Sequence, residues 1–119
     1  MRQTYALLAA AAVLLAGAAA AQQPATFRLT KSPSNTGVCN GLDAAMSREH
    51  TVTPAGDKAV LKFPGGNDED MKQVTPGTYR TELELGRVKV EFVADLSKTP
   101  KTLVVREPRE GCRWTGEAP

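Results

Sequence analysis

The segment from Gly77 to Leu96, GTYRTELELGRVKVEFVADL, restricts the fold more than any other stretch of the chain. Tyr79, Thr81, Leu83 and Leu85 alternate with Arg80, Glu82 and Glu84. After Gly86-Arg87, the residues Val88, Val90, Phe92 and Ala94 alternate with Lys89, Glu91, Val93 and Asp95. Successive side chains of a strand point to opposite faces, so this period of two specifies two strands, each with an apolar face. Glycine first in a two-residue connection suits a type II′ turn, whose twist matches that of paired strands. The turn sets the register. Leu85 faces Val88, Leu83 faces Val90 and Thr81 faces Phe92 on one side of the ribbon. On the other side Glu84 meets Lys89, an attractive pair, and Glu82 meets Glu91, an unfavourable one unless Arg80 bridges it diagonally.

The same logic extends to both sides. In Lys101 to Gly116, Leu103 and Val105 alternate with Thr102, Val104 and Arg106, and Pro108-Arg109-Glu110-Gly111 reads as the turn. Setting Glu107 opposite Cys112 places Val105 against Trp114 and Arg106 against Arg113. A third hairpin is expected from Glu49 to Phe63 around Pro54-Ala55-Gly56-Asp57, with Ala59, Leu61 and Phe63 sharing a face. Ala25 to Thr30 reads as an opening strand with Phe27 and Leu29 inward. Leu42 to Arg48 fits either a helical turn capped by Asn40 or a strand leaving the Asn40-Gly41 turn, and the strand is favoured. Gly65 to Pro76 reads as a loop with at most a turn of helix near Asp68 to Val74, and the tail after Thr115 as frayed. The fold class expected is all-β, a small antiparallel barrel or sandwich of about six short strands, mostly hairpin-connected, with one disulfide.

The N-terminus bears on where such a domain works. Ala6 to Leu15 is an unbroken apolar run, too short to span a bilayer, and Ala19-Ala20-Ala21 is a small-residue cleavage pattern. Residues 1–21 are therefore read as a signal peptide cut after Ala21, and 22–119 as a single β domain. Leu14-Leu15-Ala16-Gly17 begins like a lipoprotein box, but position 18 is alanine, so no lipid anchor is expected there. The expected location is the bacterial periplasm, with secretion beyond it as the second choice. Cys39 and Cys112 are the only cysteines, and in an oxidising compartment they are expected to pair. The exported part has no isoleucine, and its aromatics are Phe27, Phe63, Tyr79, Phe92 and Trp114. Its core must be small, which makes a covalent staple valuable. Trp114 is expected in that core.

The chain offers little catalytic equipment. It has no nucleophile–base constellation, phosphate-binding loop or metal-ligand cluster, so no enzyme activity, catalytic residue, metal or cofactor is expected. His50, the single histidine, is read as an exposed strand residue. Asn67-Asp68-Glu69-Asp70 is acidic but lacks the spacing of an EF-hand loop, and is read as a solvated turn or helix start. Net charge is +2, falling to +1 once Arg2 is removed, so nucleic acid is not an expected partner. The candidate anion- or partner-binding residues are Lys101, Arg106, Arg109 and Arg113. Arg106 and Arg113 oppose each other on the outer face and call for a compensating anion, whether a ligand, an acidic protein surface, or Glu107, Glu110 or Glu117. In size, compartment and strand pattern the chain is similar to the lysozyme inhibitors of Gram-negative bacteria, with no motif residue carried over. The function expected is a non-enzymatic, inhibitor-like binding module for an envelope or secreted protein. The alternative is a small-ligand or lipid carrier with a pocket in the barrel.

Overall fold

The computed structural model describes residues 23–119, and the signal peptide expected over 1–21 lies outside the described residues. Nine strands form one antiparallel sheet: β1 (Ala25–Arg28), β2 (Thr30–Lys31), β3 (Glu49–Ala55), β4 (Lys58–Lys62), β5 (Asp68–Thr75), β6 (Thr78–Leu85), β7 (Val88–Asp95), β8 (Lys101–Glu107) and β9 (Cys112–Ala118). Their order is β1-β3-β4-β5-β6-β7-β8-β9-β2. A 3-10 turn over Gly37–Cys39 and a short helix, α1 (Asn40–Met46), fill the connection from β2 to β3.

The sheet curls because β1 and β2 belong to one run of chain, interrupted at Leu29, yet sit at opposite ends of the strand order. β1 pairs with β3, and β2 with β9. A single bent segment thus ties the first hairpin to the last and makes a nearly closed barrel, which removes most of the exposed edge. Gly116 permits the closure. A Cβ there would lie 2.8 Å from the Arg28 carbonyl oxygen and 3.1 Å from a Leu29 methyl, where the bend crosses β9.

The interior follows the alternation of the sequence. Phe27, Leu61, Met71, Phe92, Leu103, Val105 and Trp114 are all completely buried. They pack into one cluster inside the barrel, whose width at this strand number is one that side chains can fill. The two registers derived from turn chemistry hold: Leu85 pairs with Val88 and Thr81 with Phe92, and Glu107 pairs with Cys112 and Val105 with Trp114. Gly86 has φ +68° and Arg87 does not share it, as a Gly-first turn requires. Arg80 resolves the Glu82–Glu91 conflict by donating to both carboxylates, its Nε lying 2.7 Å from Glu91 Oε2.

Four expectations need correction. The strand count is nine rather than about six. The segment read as a loop after Gly65 contains the eight-residue β5, because hydrogen bonding to β4 specifies it where apolar alternation does not: only Met71 is buried. Leu42 to Arg48 is not a strand; α1 occupies most of it. Ala44 and Ala45 favour helix, and Leu42 and Met46, four apart, fall on one face with Met46 buried. The C-terminal tail is not frayed, since β9 pairs with β8 through Ala118.

Candidate functional site

One end of the barrel carries the connection from β2 to β3 and the tips of the β6–β7 and β8–β9 hairpins. The 3-10 turn and α1 are fastened there by three attachments. Cys39, at the N-terminal edge of α1, is bonded to Cys112 at the start of β9, closing a sequence separation of 73 residues. Asp43 accepts hydrogen bonds from Trp114 Nε1 at 2.9 Å and from Ser47 Oγ at 2.7 Å. The Trp114 bond, followed by the Ser47 bond, lowers the Asp43 pKa from its ordinary value. Asn35 clamps the backbone of Arg113 from outside, its Nδ2 donating to the carbonyl oxygen at 3.0 Å and its Oδ1 accepting from the amide at 2.8 Å.

Between this cap and the hairpin tips lies a cleft of about 520 Å³. Val38, Leu42, Val88 and Pro108 give it apolar surface, and Arg87, Lys89 and Arg109 supply cations. Val38 is 66% exposed and presents its side chain on the cap side of the cleft. Glu107 also borders the cleft, but its carboxylate is engaged in the turn. Oε1 accepts from the Arg109 amide at 2.8 Å and Oε2 from the Glu110 amide at 2.7 Å, which explains why a glutamate is buried there. Among the described residues, ion pairs form at Arg28, Lys58, Arg80 and Lys98, and none forms at Arg87, Lys89 or Arg109.

The four cations singled out in the sequence do not converge. Arg106 and Arg113 are opposed on the outer face, as the register requires. Arg106 also faces Glu91 across β7, beside a shallow hollow shared with Glu82, Lys89 and Pro108. Glu107 is committed to the turn and Glu117 lies opposite Thr102, so neither offsets the arginine pair. Arg109 is separate and belongs to the cleft. Lys101 sits at the other end of β8 opposite Ala118, about 17 Å from Arg106 at the rise of an extended strand. Arg87, Lys89, Val38 and Leu42 were not singled out. Arg87 reads in the sequence as a turn residue and Lys89 as a partner of Glu84. Nothing in their spacing shows that the cap will fold over them.

Two further expectations change. His50 is not exposed; it is completely buried on β3. Its Nδ1 lies 3.1 Å from the Arg48 carbonyl oxygen, which assigns the proton to that nitrogen. Nε2 is buried without a partner, and the ring packs edge-on to Phe63 at 5.6 Å. Burial lowers the His50 pKa from its ordinary value, with the Arg48 carbonyl acting in the opposite direction. Asp68, Glu69 and Asp70 lie on β5 rather than in a turn, where alternation sends Glu69 to the face opposite the two aspartates.

Comparison of the chain with protein-family models, with curated proteins and with solved structures gives no match. The intramolecular disulfide fits an extracellular or periplasmic location.

Proposed function

We propose that the mature domain is a non-enzymatic, inhibitor-like binding module of the bacterial envelope, and that it engages a partner protein through the disulfide-capped end of the barrel. The observation that carries this reading is the cleft between cap and hairpin tips. It combines an exposed apolar residue, Val38, with three cations that form no ion pair among the described residues. Such a surface suits a protruding acidic segment with an apolar side chain at its tip. Arginine forks hold the carboxylates, and the apolar contact contributes burial. The cap is held by a covalent bond and a buried tryptophan, so little ordering cost is left for the binding step.

The test is site-specific photo-crosslinking in the native cell envelope, with the photoreactive residue at Val38 and, for comparison, at the equally accessible Val74. A discrete protein adduct is expected from position 38 and none from position 74. The adduct should disappear when Arg87 and Arg109 are both replaced by glutamate. Equal labelling from both positions, or an adduct that ignores the charge reversal, overturns the proposal.

The cleft volume also supports a second reading, because about 520 Å³ lies within the range of small-molecule sites. On that reading the protein carries an amphiphilic anion, held at the barrel's end rather than inside it, where side chains fill the axis. Native mass spectrometry of the purified domain separates the two readings. A stoichiometric small molecule lost on the same double charge reversal favours the carrier.

A further inference from the structure

Away from the closure, the barrel wall has an incomplete seam between β5 and β6. β6 is paired with β7 along its whole length, and β5 is paired with β4 from Asp68 to Lys72. Between β5 and β6, however, the ladder runs only through Lys72–Arg80, Gln73–Tyr79 and Thr75–Thr78, with a register shift between Gln73 and Thr75. A bulge bends the strand that carries it. Over residues 68–71 β5 is laddered to β4 only, and over residues 81–85 β6 is laddered to β7 only. Leu85 and Val88 flank a two-residue turn and form a hydrogen-bonded pair. Alternation therefore aims the N–H and C=O of Leu83 and Leu85 at β7, and those of Glu82 and Glu84 into the seam.

The composition of the seam is one-sided. Asp68, Glu69 and Asp70 line it from β5, and Glu82 and Glu84 from β6, all with exposed side chains and with no cation among residues 68–71 or 81–85. Asp70 is partnered by Lys58 and Glu82 by Arg80, which leaves Asp68, Glu69 and Glu84 outside the ion pairs among the described residues. On the inner face of β6, Leu83 and Leu85 are only partly buried, although they pack against the core. Charges on an open edge are a defence against unwanted pairing. A purely acidic edge repels a second copy of itself but leaves the way open to a basic strand.

We propose that the free edge of β6 is a strand-addition site for an extended, cationic segment of another protein. Lysine or arginine side chains of the segment would face Asp68, Asp70, Glu82 and Glu84 on the outer face, and the alternate apolar ones would face Leu83 and Leu85. Backbone hydrogen bonds to Glu82 and Glu84 hold the segment, and charge selects it. The site is separate from the cleft at the capped end and does not depend on what binds there.

The probe is an octapeptide of alternating lysine and valine. Its controls are the glutamate–valine counterpart and a lysine–valine peptide with every second amide N-methylated along one edge. In the free protein the Glu82 and Glu84 amides should exchange with deuterium rapidly. The lysine–valine peptide should bind, measured by fluorescence anisotropy, and protect both amides. N-methylation, or the double substitution Asp68→Lys and Glu84→Lys, should weaken binding at least about tenfold, with the melting curve of the variant confirming its fold. The Arg87→Glu/Arg109→Glu variant should bind the peptide as the natural sequence does, so failure here leaves the cleft reading untouched. Four results overturn the proposal: no binding, equal binding of the N-methylated peptide, slow exchange of both amides in the free protein, or their protection by self-association.

Discussion

The β8–β9 hairpin and β5 are both flanked by hydrogen-bonded neighbours, but they are held in different ways. In the hairpin Leu103, Val105, Cys112 and Trp114 are buried in alternation, the disulfide pins its tip side, and α1 hydrogen-bonds to its tryptophan. In β5 one residue of eight is buried, and half of one edge is unpaired. The difference shows that this barrel is not uniformly stable. One wall is anchored by burial and covalent linkage. The other is a hydrogen-bonded ribbon whose side chains contribute little, the kind of element that opens locally at low cost.

The largest test of this asymmetry is to cut the anchor. Replacing Cys39 or Cys112 by serine removes the constraint on a 73-residue separation. The chain-entropy model values this constraint at about 4 kcal/mol, so the melting temperature of a domain this size should fall by roughly 15–30 °C. A melting curve within a few degrees of the natural one would show that the cap contributes nothing to the anchored wall. Next in size is Phe92→Ala, in the fully buried interior of β7, which should cost about 3–5 kcal/mol. The matched change on the ribbon, Val74→Ala, removes a side chain that is 60% exposed and should stay within about 0.5 kcal/mol. Chemical denaturation of the two variants side by side measures the contrast. Gly116→Ala addresses the closure between bend and β9. A Cβ 2.8 Å from the Arg28 carbonyl oxygen forces backbone to move, and a loss of about 1–3 kcal/mol is expected on the same denaturation curve.

The smallest expected effect is on pH dependence. His50 has a lowered pKa in the fold, from an ordinary value of 6.5. The unfolded chain therefore takes up the proton first as pH falls. The stability from keeping this ring neutral is present above about pH 6.5 and is lost as pH falls below it toward the folded pKa. His50→Leu should flatten the decline of melting temperature on the acid side of pH 6.5 and leave the behaviour above it unchanged. Asp43, also lowered, acts further down, at and below the carboxylate range, so the two contributions separate on the pH axis.

What was legible in the sequence follows the same division. The β6–β7 and β8–β9 registers could be read because turn residues and apolar alternation specified the same pairing, so each checked the other. The disulfide followed from there being only two cysteines, and the burial of Trp114 from the scarcity of large side chains. β5 was illegible because its acidic run carries no alternating apolar face. Strand formation there is imposed by β4, through backbone groups that every residue has. His50 departs from the pattern because alternation with polar neighbours points a lone histidine outward. In the fold its position shares the inward parity of Val52, and the Arg48 carbonyl satisfies one of its two nitrogens. The cleft was out of reach for another reason. Val38, Arg87 and Arg109 come from three separate segments, and only the closing of the cap places them side by side.

The bent first strand carries a consequence for the order of assembly. Residues 25–31 hold the first strands of the chain, but two of their six strand-pairing partners, Trp114 and Thr115, lie in the last strand. The hairpins in between form from close neighbours, while that final seal joins positions more than eighty residues apart, the slow kind of contact. Until Thr115 is in place, the opening segment has one side unoccupied, so closing the barrel is expected to be the last step of folding.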